Sequence, residues 1–114
     1  MAEVIRFPRR SRRRFGVYFS RYELNQLLSL YSRHVASGEW RDYAIDHRAG
    51  VAAFSVFRRS AEGPAFTVSK TMAGSRDRHL YTVMRGAEKL KQADSLAEVV
   101  SVFEHKLRLV STAH

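Results

Sequence analysis

Two short signatures bracket the chain and limit what it can fold into. Ser20 stands three residues ahead of Glu23, and Ser95 three residues ahead of Glu98. Each is a capping box, in which a serine hydroxyl and a glutamate carboxylate satisfy orphan backbone donors at a helix start. Behind the first, Leu24, Leu27, Leu28, Tyr31 and Val35 recur at helical spacing. Phe19 and Leu24 are placed for a hydrophobic staple, and Gly38 is a C-terminal stop, so a helix is predicted over 21–37. Behind the second, Leu96, Val99, Val100, Phe103, Leu107 and Val110 predict another amphipathic helix running to the end of the chain.

The segment between them reads as β-structure. Phe15, Val17 and Phe19 form a short strand or extended lead-in to the first helix. Glu39 to Asp46 alternates, and a turn over His47 to Gly50 leads into Val51 to Arg59. Gly63-Pro64 marks the next turn, and Phe66 and Val68 alternate with Thr67 and Ser69. Met72 to Arg78 reads as a loop, Leu80 to Arg85 as a strand, and Gly86-Ala87 as a short link into Glu88 to Gln92. The expected fold is α+β, an antiparallel four- to five-stranded meander flanked by an N-terminal and a C-terminal helix. Two helices can cover one face of such a sheet. With Tyr43, Ile45, Phe66, Val68, Tyr81 and Val83 inward, the other face would carry Trp40, Asp42, Ala44, Thr67, Ser69 and Thr82.

Charge divides the chain unevenly. Arg6, Arg9, Arg10, Arg12, Arg13 and Arg14 face a single acidic residue, Glu3, so the first 14 residues hold +5 of the formal +9. They show no sustained period and contain Pro8, which predicts a disordered arginine-rich tail over 1–14. A single domain would follow over 15–110, with a flexible C-terminus over 111–114. At 114 residues with 45% hydrophobic side chains, one core is affordable. Cysteine is absent, which removes disulfides and thiolate chemistry and fits a reducing cytoplasm. The longest nearly apolar run, Val51 to Phe57, is far short of the roughly 20 residues a membrane span needs, so no membrane partner is expected.

Arginine holds its charge at any working pH and presents a planar fork suited to phosphate oxygens. The tail arginines are therefore the candidate nucleic-acid-binding residues, with an acidic protein surface as the other partner such charge fits. A second candidate is a recognition face of Trp40, Arg41, Asp42, Arg58 and Arg59, in which the indole can stack on a base or an arginine. Its bland counterpart, a strand with a packed aromatic and a structural ion pair, is the favoured reading. Arg58 and Arg59, with Arg76, Arg78 and His79, could line one edge of the sheet as a basic rim, but solvated loop ends are the favoured reading of them. Asp42 and Asp46 lie four strand residues apart, about 13 Å, too far for a carboxylate pair acting on one bond. His34, His47, His79, His105 and His114 lack the close spacing of zinc ligands. His34 lies near the helix stripe as a partly buried side chain. No Gly-rich phosphate loop or nucleophile elbow occurs. No catalytic residue, metal or cofactor is expected, and the chain reads as non-enzymatic.

The run Gly38-Glu39-Trp40-Arg41-Asp42-Tyr43-Ala44-Ile45-Asp46-His47, with Ala53-Phe54-Ser55-Val56-Phe57-Arg58-Arg59 and Leu107-Arg108-Leu109-Val110, resembles a family of small alphaproteobacterial proteins classed as a domain of unknown function. Leu24, Tyr31 and Arg33 also fit, and the likeness spans roughly residues 15–110. It implies a bacterial, cytoplasmic, single-domain protein and transfers no activity, substrate or site residue. The tail lies outside it. The element order is also similar to that of double-stranded RNA-binding domains. Those carry basic residues at the start of the final helix, where Asp94, Ser95 and Glu98 stand here.

The leading expectation is thus a small binding module whose tail contacts nucleic acid without base specificity. The alternative is a protein-interaction or homo-oligomerisation module using the exposed sheet face or a strand edge.

Overall fold

The structure, a computed structural model, describes residues 16–59 and 63–103, with the side chains of 75–77 set aside. Residues 16–20 run extended into helix α1, Arg21–Ala36. The capping box forms in full: Glu23 N–H donates to Ser20 Oγ at 3.1 Å and Ser20 N–H to Glu23 Oε1 at 2.8 Å. The buried stripe is rotated slightly from the predicted one. Leu27, Leu30 and His34 are buried and Leu24, Leu28 and Tyr31 pack beside them, whereas Val35 is 41% exposed. His34 is taken fully into the core because its Nδ1 shares a hydrogen with the Leu30 carbonyl at 3.0 Å.

The helix ends in a Schellman motif. Gly38, at φ 84°, takes the left-handed conformation that glycine alone adopts without strain. Its N–H donates to the Val35 carbonyl at 3.0 Å, and Glu39 N–H to the His34 carbonyl at 2.8 Å. Trp40 N–H reaches the same His34 carbonyl at 3.3 Å. This stop folds the chain back so that the Trp40 indole stacks on His34, with ring centres 4.1 Å apart and planes at 14°. Phe103 meets the indole edge-on at 5.4 Å.

Strand β1 therefore begins later than the sequence pattern implies, at Asp42–Arg48. It is followed by β2 (Val51–Phe57), β3 (Phe66–Ala73), β4 (Ser75–Arg85) and β5 (Glu88–Ala93). All neighbours are antiparallel, in the order β1-β2-β3-β4-β5, which is the expected meander. The predicted Met72–Arg78 loop is instead strand on both sides of Gly74, with a register shift between Met72 and Ala73. Gly74-Ser75-Arg76-Asp77-Arg78 is polar and lacks the apolar alternation by which a strand is read from sequence. Gly86, at φ 61°, is the first central residue of the β4–β5 turn, the position that favours glycine in tight hairpins.

One sheet face is apolar. Ala52, Phe54, Val56, Phe66, Val68, Tyr81 and Val83 are buried together with Val17, Phe19, Leu27, Leu30 and Trp40. The second helix, α2, is described over residues 96–103, and Ser95 Oγ accepts the Glu98 N–H at 3.2 Å. Leu96, Val99 and Phe103 close the same core. Leu107 and Val110 lie outside the described residues.

Trp40 is thus a core residue, 2% exposed, and not part of an outer recognition face. Among the described residues its Nε1 is the buried side-chain polar atom without a hydrogen-bond partner. We expect Trp40→Ala to lose about 3–5 kcal/mol of stability in urea unfolding. Trp40→Phe, which keeps much of the ring packing and removes the unpaired N–H, should lose markedly less.

Candidate functional site

The structure divides the expected site residues. Arg6, Arg9, Arg10, Arg12, Arg13 and Arg14 lie outside the described residues. Arg41, Asp42, Arg58 and Arg59 are exposed and meet at one end of the β1–β2 hairpin, where Asp42 pairs with Phe57 and Arg41 N–H donates to the Phe57 carbonyl. Arg78 and His79 lie toward the opposite end, since Met72 pairs with His79 and Val51 with Thr71. The β2 strand between these ends spans about 20 Å, so the expected basic rim is not continuous.

Where α1 meets the sheet there is a polar cluster within the apolar layer. Glu23 Oε1 accepts Lys70 Nζ at 2.7 Å, and Glu23 Oε2 accepts the Tyr81 hydroxyl. Lys70 Nζ also donates to the Tyr18 carbonyl at 2.8 Å. The Lys70 and Glu23 side chains are only 9% and 12% exposed. Burial by itself would raise the Glu23 pKa. The hydrogen bonds from Lys70, Tyr81 and the Ser20 N–H outweigh it, so the carboxyl is held below its ordinary value. Burial, then the hydrogen bond to Glu23 and its charge, push the Tyr81 hydroxyl upward. A carboxylate that already caps a helix, holds a lysine and accepts a tyrosine hydroxyl is a fastening between α1, β3 and β4. The sequence pattern places Glu23 only in the cap; the signal for its second role is parity, because Lys70 falls on the inward register of Phe66 and Val68.

The face away from the helices carries a band of small and polar side chains across its middle. Asp46, Ala53, Ser69, Thr82 and Gln92 form one row across all five strands. Ser55 Oγ lies 3.3 Å from Thr67 Oγ1, and Gln92 Nε2 donates to Thr82 Oγ1 at 3.0 Å. Apart from Trp40, this is the outer face the alternation predicts. Among the described residues no His, Asp or Glu group is arranged to hold a metal.

The two edges of the sheet differ. β5 is six residues long, carries Lys89 and Lys91, and pairs through a register shift at Val83/Met84. Lysine and irregularity are common guards against unwanted strand addition. β1 is seven residues long, pairs with β2 without a shift, and is exposed throughout. Its inward-register residues Tyr43 and Ile45 remain 40% and 37% exposed, although their partners Val56 and Phe54 are buried. Tyr43 stacks on Phe54 at 5.5 Å and meets Tyr31 edge-on at 4.9 Å, while His47 lies 4.7 Å from Tyr18. An aromatic strip thus continues from the core to the open edge of β1.

The model of a family described as a protein of unknown function, DUF2794, matches residues 17–100. The chain belongs to that family. The matched segment contains α1, the whole sheet and the start of α2, and therefore both the Glu23–Lys70–Tyr81 fastening and the β1 edge. Neither the curated proteins nor the solved structures contain a match to the chain. No helix among the described residues is long and apolar enough to cross a membrane.

Because Glu23 has a lowered folded pKa, its contribution to stability is complete above the unfolded value near 4.5 and is lost as pH falls through the folded one. Glu23→Gln leaves Lys70 buried without its counter-charge and should cost about 3–5 kcal/mol at neutral pH. Urea unfolding across an acidic pH series should show the gap between the two proteins narrowing as pH falls below that range. A constant gap would mean the carboxylate charge is not what fastens the helix.

Proposed function

We propose that this protein is a non-enzymatic interaction module that receives an extended segment of a partner along β1. One observation carries the reading: β1 is an edge strand, paired with β2 without a register shift, whose core-register residues Tyr43 and Ile45 are left open to solvent. An added strand would gain main-chain hydrogen bonds from the edge and side-chain contacts from Tyr43 and Ile45. The contrast with the lysine-bearing β5 supports β1 as the side that binds.

Peptides selected on the dilute full chain should carry alternating apolar residues and shift the amide resonances of Asp42–Arg48. They should lose binding to Ile45→Lys but keep it to Thr82→Lys on the outer face. Binders that map to the outer face, or that ignore Ile45→Lys, would overturn the reading.

The arginine run favours a second reading, contact of residues 1–14 with nucleic acid, which rests on charge. Fluorescence anisotropy across a salt series should then show affinity for duplex and single-stranded DNA and RNA falling steeply, by a slope of up to about 0.9 per phosphate neutralised on duplex DNA. Removal of residues 1–14 should abolish most of that binding. Equal affinity for both chains would exclude the tail as the contact.

A further inference from the structure

We propose that the segment received by β1 is β1 of a second copy, paired antiparallel about Ile45, so that two five-stranded sheets join into one of ten. The inference rests on the reading of β1 as a binding edge and names its occupant.

The argument is one of register. When two copies of a strand pair antiparallel about a two-fold axis normal to the sheet, residues opposite each other share a face, so only shifts of two residues are allowed. Centring on Ile45 overlaps all seven residues of Asp42–Arg48. It sets Asp42 opposite the second copy's Arg48, and Arg48 opposite the second copy's Asp42. On the helix side it sets Tyr43 opposite His47 and Ile45 opposite itself. Ala44 faces Asp46, so no like charges meet directly.

The neighbouring registers fail on charge. A shift that centres on Ala44 brings Asp42 against Asp46 twice. A shift that centres on Asp46 sets that carboxylate against its own copy and leaves Asp42 outside the pairing. Directly opposed like charges destabilise a sheet, and opposite charges support it. The register with the longest overlap is therefore also the one that charge selects.

Side-chain exposure agrees. The Arg48 side chain is 80% exposed and uses Nε for its 3.1 Å contact with Asp46, a neighbour on the same face. Asp42 makes a local contact, its Oδ1 accepting the Tyr43 N–H at 2.9 Å. Arginine's planar fork can serve Asp46 and a facing Asp42 together. The same pairing covers the exposed flanks of Tyr43 and Ile45 with the equivalent strip of the second copy.

Light scattering and sedimentation of the full chain across a dilution series test this. A reversible species of twice the 13.1 kDa chain mass is expected. Asp42→Arg and Arg48→Asp should each weaken it by about tenfold or more, because each sets like charges opposite one another twice. The double variant Asp42→Arg/Arg48→Asp restores both pairs in this register and should recover the dimer. Circular dichroism of all three variants should match the parent, which separates lost pairing from lost folding. A monomer at every concentration, a dimer indifferent to the single reversals, or a double variant as weak as the singles would each overturn the proposal. A monomer that still captures peptides on β1 would sink only the self-pairing. A monomer that captures none would remove the edge reading as well.

Discussion

The Glu23 carboxylate is the joint on which the arrangement of helix and sheet depends. It completes the cap of α1, balances the buried Lys70 ammonium and accepts the Tyr81 hydroxyl. The lysine in turn holds the carbonyl of Tyr18, in the extended lead-in before the cap. One buried charge pair therefore fixes the start of α1 over β3 and β4. Hydrophobic packing alone is non-directional and would tolerate sliding of the helix. A charge pair taken out of water does not, because separating it strands an ion in a poorly polarisable interior.

The other end of α1 is fixed differently. The Schellman stop at Gly38 redirects the chain and drops Trp40 against His34 and Phe103, so the helix end, the entry to β1 and the closing helix share one aromatic contact. With both ends held over the middle of the sheet, β1 is left overhanging. Its underside is covered by Tyr31 at Tyr43 and by Tyr18 at His47, and Tyr43 and Ile45 stay 40% and 37% exposed. The open edge thus follows from where the helix is anchored, and the interaction proposed for it rests on the same anchoring.

Much of the architecture could be read from local patterns. Both caps, the helix starting at Arg21, the five strands and the small, hydroxyl-rich outer face with Thr67, Ser69 and Thr82 follow from spacing and alternation. Pattern and structure part where one period gives way to another. Alternation over Glu39 to Asp46 puts Trp40 on a strand face, yet Glu39 and Trp40 still bond to the last turn of α1. Strand parity has no meaning there. The β3–β4 tip reads as a loop because Gly74-Ser75-Arg76-Asp77-Arg78 shows no apolar alternation. Lys70 is not legible as buried, because a single lysine in a strand carries no sign of the partner that makes its burial tolerable.

The sequence by itself determined the elements, their order and the strongly positive charge of the first 14 residues. These depend on contacts between near neighbours: a serine and a glutamate three residues apart, alternation along a strand, a glycine after a helix. The tertiary structure decided which polar residues are buried together, which aromatic enters the core and which sheet edge stays open. Glu23 is 47 residues from Lys70 and 58 from Tyr81, so no local pattern reports their meeting. Likewise, the exposure of Tyr43 and Ile45 depends on where α1 comes to rest, and only the folded chain sets that position.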